Sequence, residues 1–253
     1  MTTPNTERLR GALQIGDETD TLIITIYNRP EATLRCLRSV ATNDLSGVQV
    51  ILADAPGERP GMKEALREAS EILPFHHVKF HTTLGQCQRM AFEAAVRMSN
   101  LILYLEDDYV VEPGFIDWHR QVHRRLSPFI SCADNDYRST QDSDPSGVVL
   151  TRSKFSGHAG AIINYNLERL LNETWGDRNF EELAHNYIIR HKLMTVFPTV
   201  PRAHDTGEPG MNQPKKDIKV EFKNPPTPSH FTETDWTYKW RKDYAAQKKW
   251  GWQ

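Results

Sequence analysis

Residues 101–114 read LILYLEDDYVVEPG, in which five apolar residues run directly into Glu106, Asp107 and Asp108. Three adjacent carboxylates repel one another, and at the end of a strand buried on both faces water cannot relieve them all. A positive partner is required. A divalent cation, Mg²⁺ or Mn²⁺, suits that role, because these hard ions take oxygen ligands and are commonly held by one or two carboxylates together with substrate phosphates. The substrate implied by such a site carries a diphosphate. Helix capping ahead of PGFIDWHRQVHRRL would need one acid, not three.

The elements that must position this cluster follow a rhythm. Apolar runs occur at TLIITIY (21–27), VQVILA (48–53), HVKFH (77–81) and LILYL (101–105). Between them lie PEATLRCLRSVA, GMKEALREASEIL and GQCQRMAFEAAVRM, each with apolar residues recurring at helical spacing, and Pro30 suits a first helical turn. Strand and helix repeated three times predict a largely parallel sheet flanked by helices. Further on, FISCA (129–133) and MTVFP read as strands, NLERLLNETW and NFEELAHNYIIRHKL as helices, and residues 138–147 as a loop. From Pro209 the pattern dissolves into Pro, Lys and aromatic residues. The predicted organisation is a polar segment 1–20, a ligand-binding half 21–118, a second half of the same domain 119–210, and a basic aromatic segment 211–253.

In an open α/β sheet, ligands bind beyond the carboxyl ends of the strands. Asn28 and Arg29 follow the first run, Asp54 the second, and the carboxylate trio the fourth. Three runs therefore converge on one edge with polar groups. A nicotinamide site needs a glycine-rich turn after the first strand, and IYNRPE contains no glycine. A Walker-type phosphate loop is excluded for the same reason.

Together, LIITIYNRPEATLRCLRSV, VQVILADAPGE, TTLGQCQRMAFEAA and NLILYLEDDYVVEPGF resemble the nucleotide-sugar-binding half of GT-A glycosyltransferases, with family-2-like character in the N-terminal half. The trio is similar to the DXD motif of that superfamily, in the EDD form of the N-acetylglucosaminyltransferase I type. FSGHAGAIIN, NFEELAHNYIIR and VPRAHDTGEPG extend the likeness to about residue 210. The resemblance implies a Rossmann-like GT-A fold and a metal-dependent, inverting transfer of a sugar from a nucleoside-diphosphate sugar to an acceptor hydroxyl. It implies that Tyr27, Asn28, Arg29 and Asp54 cradle the base and ribose, and that Arg89 lies near ribose or phosphate. Asp108 would be the principal metal ligand, with Glu106 and Asp107 touching the ribose or metal-bound waters. Glu181 or Glu182 aligns with the catalytic base, and His204 with a late metal or diphosphate ligand. His158, between two glycines, would line the pocket.

The formal net charge of −2 argues against a general polyanion binder, and Cys36, Cys87 and Cys132 are too few and scattered for a disulfide framework. No apolar run is long enough to span a bilayer, and the first twenty residues lack the apolar core of a signal peptide, which predicts a cytoplasmic protein. Trp236, Trp240, Trp250 and Trp252 lie in the last 18 residues, and residues 215–253 carry nine Lys or Arg against five Asp or Glu. Such a segment can stack on nucleobases and meet phosphates, stack on sugar rings, or pack on the domain. Two acceptor classes therefore stand open: a glycan or lipid-linked sugar, and a hydroxylated base in DNA, as in phage-type DNA modification. Outside glycosyl transfer, the alternatives are a nucleotidyltransferase, for which IYNRPE is a poor match, and a non-catalytic nucleotide-sugar binder.

Overall fold

The computed structural model describes residues 19–55, 60–134, 148–152, 155, 158–173, 175, 179–198, 200–206 and 238–240. Four parallel strands open the chain: β1 (Thr19–Ile26), β2 (Val48–Asp54), β3 (His76–Lys79) and β4 (Ser99–Glu106). Each predicted run forms a strand, and β4 extends to the first carboxylate. The linking helices are α1 (Pro30–Val40), α2 (Met62–Ser70) and α3 (Leu84–Ala95). Pro30 opens α1 where a missing N–H costs nothing, and the Thr83 side chain caps α3 by accepting from the Gln86 N–H.

The remaining elements are β5 (Tyr109–Val111), α4 (Phe115–Leu126), β6 (Ile130–Cys132), β7 (Val148–Thr151), β8 (Ala159–Ile163), α5 (Asn164–Leu171), α6 (Phe180–His191), β9 (Thr195–Pro198), β10 (Ala203–Asp205) and β11 (Tyr238–Trp240). Nine strands form one sheet in the order β11-β7-β9-β6-β8-β4-β1-β2-β3, and β5 pairs with β10 in a separate two-stranded ribbon. Strands from both halves of the chain share the large sheet. It is mostly parallel, with β8 running antiparallel to both β4 and β6.

Alternation along the strands divides the core. Leu22, Ile24 and Ile26 of β1 face α1, α2 and α4, together with Leu101, Leu103 and Leu105 of β4. Ile23, Ile102 and Tyr104 face the opposite way, onto α3, α5 and α6. Helices thus cover both faces, which explains why β1 and β4 read as unbroken apolar runs. Gly160 on β8 allows a close approach, since a Cβ there would lie 2.4 Å from both the Ser131 carbonyl oxygen and the Tyr104 hydroxyl. All three cysteines are buried free thiols. Among the described residues, no helix is long and apolar enough to cross a membrane.

Candidate functional site

The charge problem posed by Glu106–Asp108 is answered largely from within the chain. Asp107 is fully buried, and the Arg29 guanidinium reaches both its Oδ1 and the Oδ2 of Asp108. Asp107 Oδ2 also accepts from the Tyr27 N–H (3.0 Å) and the Thr33 hydroxyl (2.9 Å). Burial pushes the Asp107 carboxyl up, while Arg29, the Tyr27 amide and Thr33 pull against it. With its oxygens spent on β1 and α1, Asp107 ties the two elements to the end of β4 and turns no free oxygen to solvent. Asn28 makes the geometry possible by taking a left-handed conformation (φ 55°), which a short polar side chain tolerates, so that the chain turns Arg29 back over the strand ends.

Asp108 is arranged differently. Its Oδ2 meets Arg29, but its Oδ1 is buried without a hydrogen-bond partner. Burial raises its pKa to about 6, opposed by Arg29 and reinforced by Glu106, Asp107 and Asp205. Asp205 reaches this field because β10 pairs with β5 and places it opposite Tyr109. One residue on, Thr206 donates from its N–H (2.9 Å) and its hydroxyl (2.8 Å) to the Asp108 carbonyl. His204, the residue expected to ligate a metal, projects from the alternate face of β10, and its Nε2 pairs with the buried Glu112 at 2.9 Å. The acidic group that the ribbon brings to Asp108 is therefore Asp205.

Glu106 meets a second cation. His158 Nδ1 lies 3.3 Å from Glu106 Oε1, and its Nε2 lies 3.6 Å from Glu181 Oε2. The ring stacks on Tyr109, with centroids 5.7 Å apart and planes 13° from parallel. Burial lowers the His158 pKa, but Glu106, Glu181 and Asp134 outweigh it and carry it up to about 10. Of the two candidate bases, Glu181 turns toward this bridge, whereas Glu182 lies exposed on the first turn of α6, where its N–H is capped by Asn179 Oδ1 at 2.8 Å.

The remaining expected residues flank the cluster. Asp54 closes β2, is 6% exposed, and bonds His77 Nε2 at 2.9 Å. Arg89 on α3 pairs with Glu93 at 2.8 Å and stands 5.7 Å over the Trp175 ring. Sequence reasoning missed Thr33, His77 and Thr206 altogether. Thr33 carried a detectable signal, four residues from Arg29 on a helix that begins at Pro30. The loop 138–147, and Trp236, Trp250 and Trp252 of the tail, lie outside the described residues.

No known family model and no curated protein matches this sequence. Solved structures match the fold. TarS 1-349 of S. aureus superposes with a TM-score of 0.57 at 10% identity, over 75% of this chain and 60% of that one. The same protein in complex with UDP-GlcNAc gives 0.56 at 11% identity, over 76% and 59%. Mannosyltransferase PcManGT from Pyrobaculum calidifontis, in complex with GDP-Man and Mn²⁺, gives 0.53 at 15% identity, over 78% and 60%. The chain thus spans about 60% of the length of TarS 1-349 and of PcManGT, and 36% of the longer TarS chain. What the likeness defines is the architecture, a GT-A glycosyltransferase fold with the carboxylate cluster at the carboxyl ends of its central strands.

Proposed function

We propose that this chain is a metal-dependent glycosyltransferase that moves a sugar from a nucleoside-diphosphate sugar to an acceptor hydroxyl with inversion. The observation that carries this reading is the buried, unpartnered Oδ1 of Asp108, set beside Glu106 and Asp205 at the switch point of the sheet. A carboxylate oxygen left in that state needs a cation. No group of three His, Cys, Asp or Glu ligands stands ready among the described residues. An ion held by Asp108 would therefore have to take most of its shell from waters and substrate phosphate, as Mg²⁺ commonly does. The neighbours seen with UDP-GlcNAc, and with GDP-Man and Mn²⁺, support a donor of this class.

In this reading Asp108 is the residue that holds the metal. A metal held there would supply Lewis-acid stabilisation of the charge on the departing diphosphate. Asp107 and Arg29 are scaffold, fixing Asp108 in place through β1 and α1. Asp54, at the next strand end, accepts from the nucleotide base, exchanging or sharing the His77 contact. Glu106 faces the ribose side of the site. Glu181 takes the proton of the acceptor hydroxyl as that oxygen attacks, because it is the α6 carboxylate turned toward the donor cluster.

The test is calorimetry with UDP and GDP, with Mn²⁺ or EDTA, followed by assay of nucleoside-diphosphate release from matching donors. Binding should require the metal, and equal affinity in EDTA would overturn the metal reading. Asp108→Asn should abolish release, while Asp54→Asn should chiefly raise donor Kd. Glu181→Gln should cut transfer by about 10²–10⁴-fold at nearly constant Kd, with Glu182→Gln much milder.

A further inference from the structure

We infer that His158 is a positioning residue that holds Glu181 against the donor side of the site, so that the proposed base and the carboxylate edge of β4 move as one unit. This inference rests on the glycosyltransferase reading above and adds to it a residue with a defined task.

The geometry carries the argument. Glu106 belongs to the end of β4 and Glu181 to the first turn of α6, and the two elements reach the site from opposite directions. A single imidazole stands between them, with Nδ1 3.3 Å from one carboxylate and Nε2 3.6 Å from the other. A neutral imidazole offers neither carboxylate a charge, and the Glu181 contact at 3.6 Å is an ion-pair distance, not a hydrogen bond. Serving both requires the imidazolium, and the raised pKa agrees. The ring is fixed on three sides: its backbone carbonyl accepts from the Glu106 N–H at 3.0 Å, Tyr109 stacks on one face, and Ala159 behind it begins β8. The charged and titratable groups facing it are Glu106 from β4, Glu181 from α6, Asp134 after β6 and the Tyr109 hydroxyl from β5. Three carboxylates around one cation place the ring as a hub, not as a solvent-exposed spectator.

The consequence for catalysis is orientational. Without the cation, Glu106 and Glu181 repel, and Glu181 is free to swing toward solvent with Glu182. A displacement of about 1 Å at a reacting group can cost on the order of 10²-fold in rate.

Two variants separate the nitrogens. In His158→Asn the amide falls near the Nδ1 position and keeps Glu106, whereas in His158→Gln it reaches the Nε2 position and keeps Glu181. Full-length wild type and both variants are assayed for donor Kd with Mn²⁺, kcat and Tm. We expect donor Kd to stay within about threefold and kcat of the Asn variant to fall on the order of 10- to 100-fold. The Gln variant should lose less. Unchanged kcat in folded variants would overturn the inference, as would equal losses in the two that track only a lowered Tm. If wild type turns over donor but Glu181→Gln does too, the inference fails while the function stands. If wild type neither binds a nucleoside diphosphate nor releases one from any donor, the function itself fails and the inference with it.

Discussion

Replacing Arg29 by Met tests whether the acidic cluster is held chiefly by the protein. In the native chain the Asp107 carboxylate is fully buried and is served by Arg29, the Tyr27 amide and the Thr33 hydroxyl. Removing one partner of a buried ion pair typically costs about 3–5 kcal/mol, because a charge is left uncompensated. Here two neutral hydrogen bonds remain, each worth about 1 kcal/mol net, and the Arg29 side chain is itself 16% exposed, so water can enter part of the gap. Both considerations place the loss near the lower bound, about 3 kcal/mol. Asp107→Asn should cost less, since Arg29 retains Asp108 and no buried charge remains at position 107. The double variant should be more stable than the sum of the singles by about 1–2 kcal/mol, the signature of a direct pair. Urea unfolding of all four proteins, compared at their midpoints with a common slope, gives these values. If Arg29→Met lies within about 0.5 kcal/mol of wild type, the surface-salt-bridge range applies and the anchoring role assigned to Asp107 is wrong.

Two further outcomes concern the fold. His123 is buried, and burial pushes its pKa down to about 4 against the pull of the Ala161 carbonyl, while the unfolded chain takes up a proton near 6.5. The native state therefore binds fewer protons at this site, and the stability His123 contributes should fall by about 3 kcal/mol as pH drops from 6.5 toward 4, with buried His119 acting in the same sense and Asp108 in the opposite one. His123→Gln should flatten that slope in a pH series of urea midpoints, and an unchanged slope would place the ring in water. Gly160→Ala should be severely destabilising, lowering Tm by well over what an ordinary overpacking cost of about 1–3 kcal/mol would produce, because the new Cβ meets backbone oxygen at 2.4 Å. A near-native Tm would mean that β6 and β8 can separate.

Much of the architecture was legible because physics writes it locally. A strand segment buried on both faces is mostly apolar, as LIITI in β1, VILA in β2 and LILYL in β4 are. The strands that escaped notice are those whose identity depends on distant partners. β8 reads AGAII, small residues chosen for close approach to Tyr104 and Ser131, not for intrinsic strand propensity. β5 and β10 are three residues each and exist because they pair with each other. The site follows the same division. The acids were visible as a cluster, but the cation that meets them sits 78 residues away from Asp107, and the sequence offered a metal before it offered Arg29. His204 and Asp205 are neighbours whose roles depend on which face of β10 each occupies, and a one-residue change of register would exchange them.

The separations along the chain carry a consequence in time. The contacts of β1 with β2 and of β2 with β3 close loops of about thirty residues, whereas Thr33 and Arg29 lie 74 and 78 residues from Asp107, and Thr206 lies 98 from Asp108. Longer closures cost more entropy and form later. The β1–β2–β3 edge of the sheet should therefore form before β4, whose pairing with β1 and whose contacts with Arg29 and Thr33 close separations of similar length. During refolding, quenching of a reporter in the β1–β2 region should precede that of one placed where β4 meets β1. The β5–β10 ribbon closes the longest of these separations, so its docking on Asp108 should come last, and a variant that loosens it should delay that phase while leaving the earlier one alone.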